Sequence, residues 1–244
     1  MTTPADPTRA ATIADRVRHD LATRHWSHVG QPIDASDFEA VAARLGTVDR
    51  RLEVVVSPER EQEQRSSRRN NLPRPSLYQS TELGFHTDPP RTSLGGGADV
   101  LAFYCLAQDD HDGASLLIDM SRLEHDFTPD EIDGLRRVEV AYSTIRPDGV
   151  DELHTLPLLS RDADRISLHY MPWGVRLPTD PALARLMGRF EQYARDRPVV
   201  SIRLKAGESL FLDNRVMLHG RGPLLPDSKR RLLRVHLGSA APPG

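Results

Sequence analysis

Two spacings of apolar residues run along the chain, and the shorter one dominates. Ile13, Val17 and Leu21 recur at four-residue intervals, which predicts a helix within 10–23. Ser36 and Glu39 form a capping-box pattern around Phe38, Val41, Ala42 and Leu45, with Gly46 as a stop. Thr128-Pro129-Asp130-Glu131 repeats that start signal, and Asp180-Pro181 opens a third helix with Leu183, Met187, Phe190 and Ala194 on one face. Strand-like runs are more numerous: 52–56, 100–106, 115–118, 138–143, 156–159, 166–170, 199–204, 209–212, 216–219 and 232–237, with a further strand-like stretch at 83–85. Many short strands with a few covering helices predict a mainly β fold, a barrel or sandwich. A parallel α/β fold is disfavoured, because strands and helices do not alternate and no glycine-rich phosphate loop follows a strand. Gly95-Gly96-Gly97 lacks both the spacing and the following helix, and reads as a flexible turn.

A chain of 244 residues buries a full core, and the expectation is one domain over 1–244, with a helical N-terminal part to about 50 and a β core over about 76–238. The stretch 58–75 carries Arg65, Arg68, Arg69, Asn70 and Asn71 and too few apolar residues to pack; it reads as a surface loop, either a lid or simply solvated. The 32 Lys plus Arg nearly balance the 35 Asp plus Glu, for a formal charge of −3, and no long block of one sign offers a nucleic-acid footprint. Residues 1–14 interrupt any apolar stretch with Pro, Asp and Arg, and no membrane-length apolar run occurs, so a cytoplasmic protein without a membrane partner is expected. The lone Cys105 lies in an apolar run and reads as a buried thiol. Homo-oligomerisation is left open.

The candidate chemistry starts at His86-Thr87-Asp88, which ends a strand-like stretch and is stopped by Pro89-Pro90. An imidazole and a carboxylate one residue apart can turn toward one metal, and a second imidazole from elsewhere completes a two-histidine, one-carboxylate face on octahedral iron with three open positions. With 10 histidines in the chain an HxD pair alone is weak evidence. The distal stretch strengthens it: Asp213-Asn214-Arg215 precedes His219-Gly220-Arg221 on a strand, and a further strand carries Arg230 and Arg234. Even spacing on a strand puts Arg230, Leu232 and Arg234 on one face. Two inward guanidinium groups require anionic partners, and a carboxylate such as the C5 group of 2-oxoglutarate fits one.

HTD at 86–88, DNRxxxHGR at 213–221 and RRLLRV at 230–235 resemble the taurine dioxygenase and clavaminate synthase-like family of Fe(II)/2-oxoglutarate oxygenases. The resemblance implies a double-stranded β-helix, or cupin-like jelly roll, with Fe(II), 2-oxoglutarate and O2 as its cofactors. It implies that His86, Asp88 and His219 hold the metal, that Arg230 and Ser115 hold the distal carboxylate of the cosubstrate, and that Arg234 meets an acidic group of the substrate. The expected reaction is hydroxylation of a small polar, acidic or amino-acid-like metabolite. The same chemistry can end in desaturation, epoxidation or ring closure, and a metal-binding jelly roll without turnover is the alternative from another class. Asp88, in place of Gly or Ala, argues against halogenation.

Other candidates carry less. His169 ends a strand beside Tyr170 and Trp173 and is the candidate for lining a substrate pocket, although packing explains it as well. His236 shares the parity of Arg234 and reads as a core or rim residue. His19, His25, His28, His111, His125 and His154 lie in polar contexts and read as solvated, and Asp213-Asn214-Arg215 reads as a supporting turn.

Overall fold

The computed structural model describes residues 5–55, 82–89, 98–108, 113–145, 151–162, 165–225 and 228–239. The possible lid at 58–75, the turn at Gly95-Gly96-Gly97 and His111 lie outside the described residues.

Helix α1 (Pro7–Arg24) starts at Asp6, whose carboxylate accepts the Thr8 and Arg9 N–H groups, and ends at His25 in the left-handed region, φ 67. Helix α2 (Ala35–Leu45) starts earlier than the capping pattern indicates: Asp34 is the N-cap residue, so Ser36 lies within the first turn. Next come the short α3 (Leu123–Asp126) and α4 (Pro129–Leu135), which has the predicted Thr128–Glu131 capping box in both directions. In α5 (Pro181–Asp196), Asp180 caps the Ala182 N–H and Met187, Phe190 and Ala194 are buried.

The strands are β1 (Trp26–Val29), β2 (Gly46–Val55), β3 (Leu83–His86), β4 (Val100–Ala107), β5 (Ser115–Asp119), β6 (Glu139–Ile145) and β7 (Asp151–Pro157). They continue with β8 (Leu159–Asp162), β9 (Arg165–Leu168), β10 (Val199–Ile202), β11 (Ser209–Asp213), β12 (Met217–Arg221) and β13 (Arg231–Ser239). Strand β2 begins at Gly46, well before the run expected at 52–56, and two further places differ from the pattern reading. The run 156–159 is divided at Leu158, whose N–H turns to the Val138 carbonyl at 2.7 Å. Trp26–Val29, short and half polar, has no strand signature of its own and is ordered as an edge strand by antiparallel pairing with β11.

One sheet has the order β1-β11-β4-β13-β2 and the other β10-β5-β12-β3; β6-β7 and β8-β9 are hairpins, and every pairing is antiparallel. Alternation along the strands sorts side chains into three layers. Leu101, Cys105, Leu210, Leu212 and Leu232 of the first sheet meet Leu117, Ile202 and Met217 of the second in the space between the sheets. Ala102, Tyr104, Phe211, Val235 and Leu237 face outward against α1 and α2, while Ile118 and Leu218 face outward against a cluster that includes Leu123, Leu135 and Phe190. The two sheets are the halves of a jelly roll, as expected. Its interior is thus reached by alternate residues of β5, β12 and β13, the strands that begin at, contain or follow the candidate residues.

Candidate active site

Metal-ligand spacing in the sequence becomes contact through strand register. His86, the last residue of β3, pairs across the ladder with His219 of β12, and the two rings lie 4.3 Å apart between centroids. Gly220 permits this pairing: a Cβ there would come within 2.8 Å of the Leu83 carbonyl on β3. Asp88 follows on the segment that leaves β3, and that segment is pinned on both sides. The Thr87 N–H donates to the Tyr170 carbonyl at 2.7 Å, and the Thr87 hydroxyl accepts the Tyr170 N–H at 3.0 Å. The Asp88 N–H donates to the Asn214 side-chain carbonyl at 2.8 Å, and the Asn214 amide donates back to Asp88 at 3.1 Å and to the Ala98 carbonyl at 2.8 Å. Asn214, read in the sequence as part of a supporting turn, is therefore the buried clamp that holds the proximal ligand segment.

The three residues are all at most 5% exposed, and their ligand atoms lie within 4.8 Å of one another. Asp88 Oδ1 is 3.8 Å from His86 Nε2 and 3.7 Å from His219 Nε2, too far for hydrogen bonds. His86 Nδ1 pairs with the Gly84 carbonyl at 2.8 Å, so Nδ1 carries the proton and the Nε2 lone pair faces Asp88 and His219. Neither ring nitrogen of the buried His219 has a hydrogen-bond partner among the described residues. Buried polar atoms without partners are costly, and a divalent cation among these three residues would give the His219 Nε2 a partner.

The charge states suit a metal. Burial pushes both histidines down; for His219 the neighbouring His86 adds to this, and its ring titrates well below the ordinary range. Burial alone would raise Asp88, but the Arg234 guanidinium, with His236 and His219, holds its carboxyl well below the usual carboxylate range. At neutral pH the site therefore offers two neutral imidazoles and one carboxylate, the forms in which these groups bind metal.

Beside the triad, Ser115, Leu117, His219, Arg221, Arg230 and Arg234 line a common cavity inside the roll. Arg230 donates through Nε to Gln108 at 3.1 Å and through a terminal nitrogen to the Ser115 hydroxyl at 3.3 Å, so the two residues expected to share one carboxylate are neighbours. Arg234 stands closer to the metal ligands than expected of a substrate anchor alone: its guanidinium is 2.6 Å from Asp88 Oδ2, and its Nε donates to His236 Nε2 at 3.0 Å. His236 is no rim residue. It is 2% exposed and its Nε2 lies 3.0 Å from Asp88 Oδ2; its shared parity with Arg234 was the only signal in the sequence.

His169 is not brought into this cavity. Its Nε2 pairs with the Ser160 hydroxyl at 2.8 Å, and burial pushes the ring down to about 4, so it is a neutral packed histidine. The neighbour that reaches the triad is Trp173, with its ring 5.0 Å from that of His86. Two N-terminal histidines read as solvated are also engaged: His28 pairs with buried Glu208 at 2.9 Å, and His25 caps α1 with its Nδ1 buried.

Among solved structures, asparagine oxygenase in complex with Fe(II), 2S,3S-3-hydroxyasparagine and succinate superposes with a TM-score of 0.69 at 17% identity, covering 93% of this chain and 79% of that one. The non-heme iron oxygenase OrfP, in complex with Fe and alpha-ketoglutaric acid, gives a TM-score of 0.68 at 18% identity, covering 96% and 83%. These likenesses are of fold. No curated protein matches the sequence significantly. The model of the family described as taurine catabolism dioxygenase TauD, TfdA matches residues 29–236, most of the chain, and with the buried triad and its arginines in view the chain belongs to that family of Fe(II)/2-oxoglutarate-dependent oxygenases.

Proposed function

We propose that this protein hydroxylates a C–H bond of a small acidic or amino-acid-like metabolite, with His86, Asp88 and His219 holding Fe(II) and with 2-oxoglutarate and O2 as cosubstrates. The observation that carries the reading is the buried set of facing donors, Asp88 Oδ1 at 3.8 and 3.7 Å from two histidine nitrogens, one of which, on His219, lines a cavity with Arg230 and Ser115. Iron with 2-oxoglutarate and O2 supplies the oxidising power, and succinate and CO2 are the coproducts.

The chain's own part is binding and placement. Arg230 and the Ser115 hydroxyl offer charge-assisted and neutral hydrogen bonds to the distal carboxylate of 2-oxoglutarate, with Gln108 fixing the Nε edge of Arg230. Arg234 adds a second cation next to the metal ligands, which favours a substrate bearing an acid group. Trp173 gives an apolar wall beside His86 and helps to exclude water. The solved structures similar in fold hold 3-hydroxyasparagine and (3S)-hydroxy-L-Arg, so amino acids are the first class to test. We further propose that the whole chain forms one catalytic domain and acts in the cytoplasm; among the described residues no helix is long and apolar enough to cross a membrane.

The test is incubation of the Fe(II)-loaded protein with 2-oxoglutarate and a panel of amino acids, following succinate and product mass. Succinate formation stimulated by one substrate, with a product heavier by one oxygen atom, is expected. A product lighter by two hydrogens would replace hydroxylation with desaturation, and absence of any 2-oxoglutarate consumption would favour a metal-binding jelly roll without turnover.

A further inference from the structure

His236, two residues beyond Arg234 on β13, has a place in this site that no metal-ligand pattern assigns. Leu232, Arg234 and His236 alternate along β13 and face the interior, with Arg234 opposite Phe103 and His236 opposite Leu101 of β4. The Nε–H and one terminal N–H of a guanidinium project in parallel from the same planar edge, so fixing one acceptor fixes the direction of the other bond. In Arg234 the Nε–H donates to His236 Nε2 at 3.0 Å, and a terminal nitrogen forms an ion pair with Asp88 Oδ2 at 2.6 Å. The same His236 Nε2 lies 3.0 Å from Asp88 Oδ2, so one ring nitrogen meets both the Arg234 Nε edge and the carboxylate oxygen.

We propose that His236 is a positioning residue for the metal carboxylate: in contact with both the Arg234 Nε–H and Asp88 Oδ2, it holds the guanidinium against that oxygen, so that only Oδ1 is presented to the metal. This rests on the Fe(II) reading of the triad. The physical reason is a competition between carboxylate modes. A carboxylate with both oxygens unrestrained can bind a cation through two atoms, occupying a coordination position that the cosubstrate or O2 requires. With Oδ2 held against Arg234 and His236, Oδ1 alone faces His86 Nε2 and His219 Nε2. Removing the imidazole leaves the buried Nε–H of Arg234 without this acceptor and frees the guanidinium to turn. Partners of this kind, behind the ligands themselves, commonly alter metal affinity by about 10- to 100-fold.

The experiment is an anaerobic Co(II) titration of wild type, His236→Leu and His236→Gln, read by the visible d–d absorption band, with melting of the metal-free proteins as a check on folding. His236→Leu is expected to weaken Co(II) binding about tenfold or more and to change the band. His236→Gln, whose side-chain carbonyl keeps an acceptor for Arg234, is expected to recover most of the affinity and the wild-type band. Wild-type affinity and band in His236→Leu would overturn the inference while leaving the metal reading intact. So would a loss in a folded His236→Gln as large as in His236→Leu. If His236→Leu does not fold, His236→Gln decides alone, since a tenfold loss there overturns the inference. A wild-type protein that takes up no Co(II) would overturn the metal reading, and this inference with it.

Discussion

The two carboxylate oxygens of Asp88 face different neighbours, one toward two imidazoles and one toward Arg234 and His236, and this division explains how a fully buried anion is tolerated. Arg230 and Arg234 differ in the same spirit: Arg230 sits with Ser115 and Gln108, while Arg234 sits on the Asp88 carboxylate. Replacing Arg230 with Ala removes one partner of a buried charge-assisted pair, a loss of about 2–5 kcal/mol, so 2-oxoglutarate should bind roughly 30-fold or more weakly. Calorimetry on the Mn(II)-loaded protein checks this. Arg234→Ala should weaken substrate more than 2-oxoglutarate in the same assay; equal losses would remove its assignment as a substrate contact. His169 gives a pH prediction. Its ring titrates at about 4 in the fold against an ordinary 6.5, so the unfolded chain takes up this proton first as pH falls. The associated stability, roughly 3 kcal/mol at most, is present above about pH 6.5 and is lost as pH falls toward 4. Urea unfolding of the metal-loaded protein should therefore lose more stability between pH 7 and pH 5 in wild type than in His169→Gln; parallel losses would contradict this. The candidate ligands are marked at this scale because HxD and the distal HGR are local strings. His236, with only strand parity to suggest it, and His169, adjacent in sequence to residues that approach the site but turned toward Ser160, are not.

At the scale of elements, most strands and helices follow from apolar spacing, and the departures have identifiable causes. Strand β1 exists because β11 offers it an edge, a tertiary fact absent from Trp26–Val29 itself. Helix α2 begins at Asp34 although the sequence offers a fuller capping pattern at Ser36, where the chain is already helical. The clamp between Asn214 and the Asp88 segment joins residues 126 apart, so it could be suspected from the motif but not drawn. The β3–β12 ladder is the element on which the candidate metal site depends most directly, because it sets His86 against His219. Gly220→Ala would drive a methyl group into the Leu83 carbonyl, and the backbone of β3 would have to shift. A destabilisation of about 1–3 kcal/mol is expected from such overpacking, together with weaker Co(II) binding. Thermal melting with and without Co(II) reads both; unchanged metal affinity would show that the ladder does not set the donor geometry.

For the whole molecule, the jelly roll solves a placement problem: two sheets bury one apolar layer, and the residues that interrupt that layer are the polar ones of the site. His219, Arg230 and Arg234 line a cavity with Leu117, Leu210 and Leu232, so the chemistry sits inside the core, shielded from water by the same packing that holds the fold. A strand-rich architecture was visible from spacing alone, whereas the pairing order that brings β3, β5, β12 and β13 around one cavity is a property of the closed roll. The central claim is that this cavity binds Fe(II) through His86, Asp88 and His219 and 2-oxoglutarate beside it. The most direct measurement is an anaerobic titration of Fe(II)-loaded protein with 2-oxoglutarate, watching for the weak visible charge-transfer band of the chelate, with His219→Ala alongside. A band in wild type that is lost in His219→Ala is the predicted result; metal bound without such a band, or a band that survives in His219→Ala, would contradict the account.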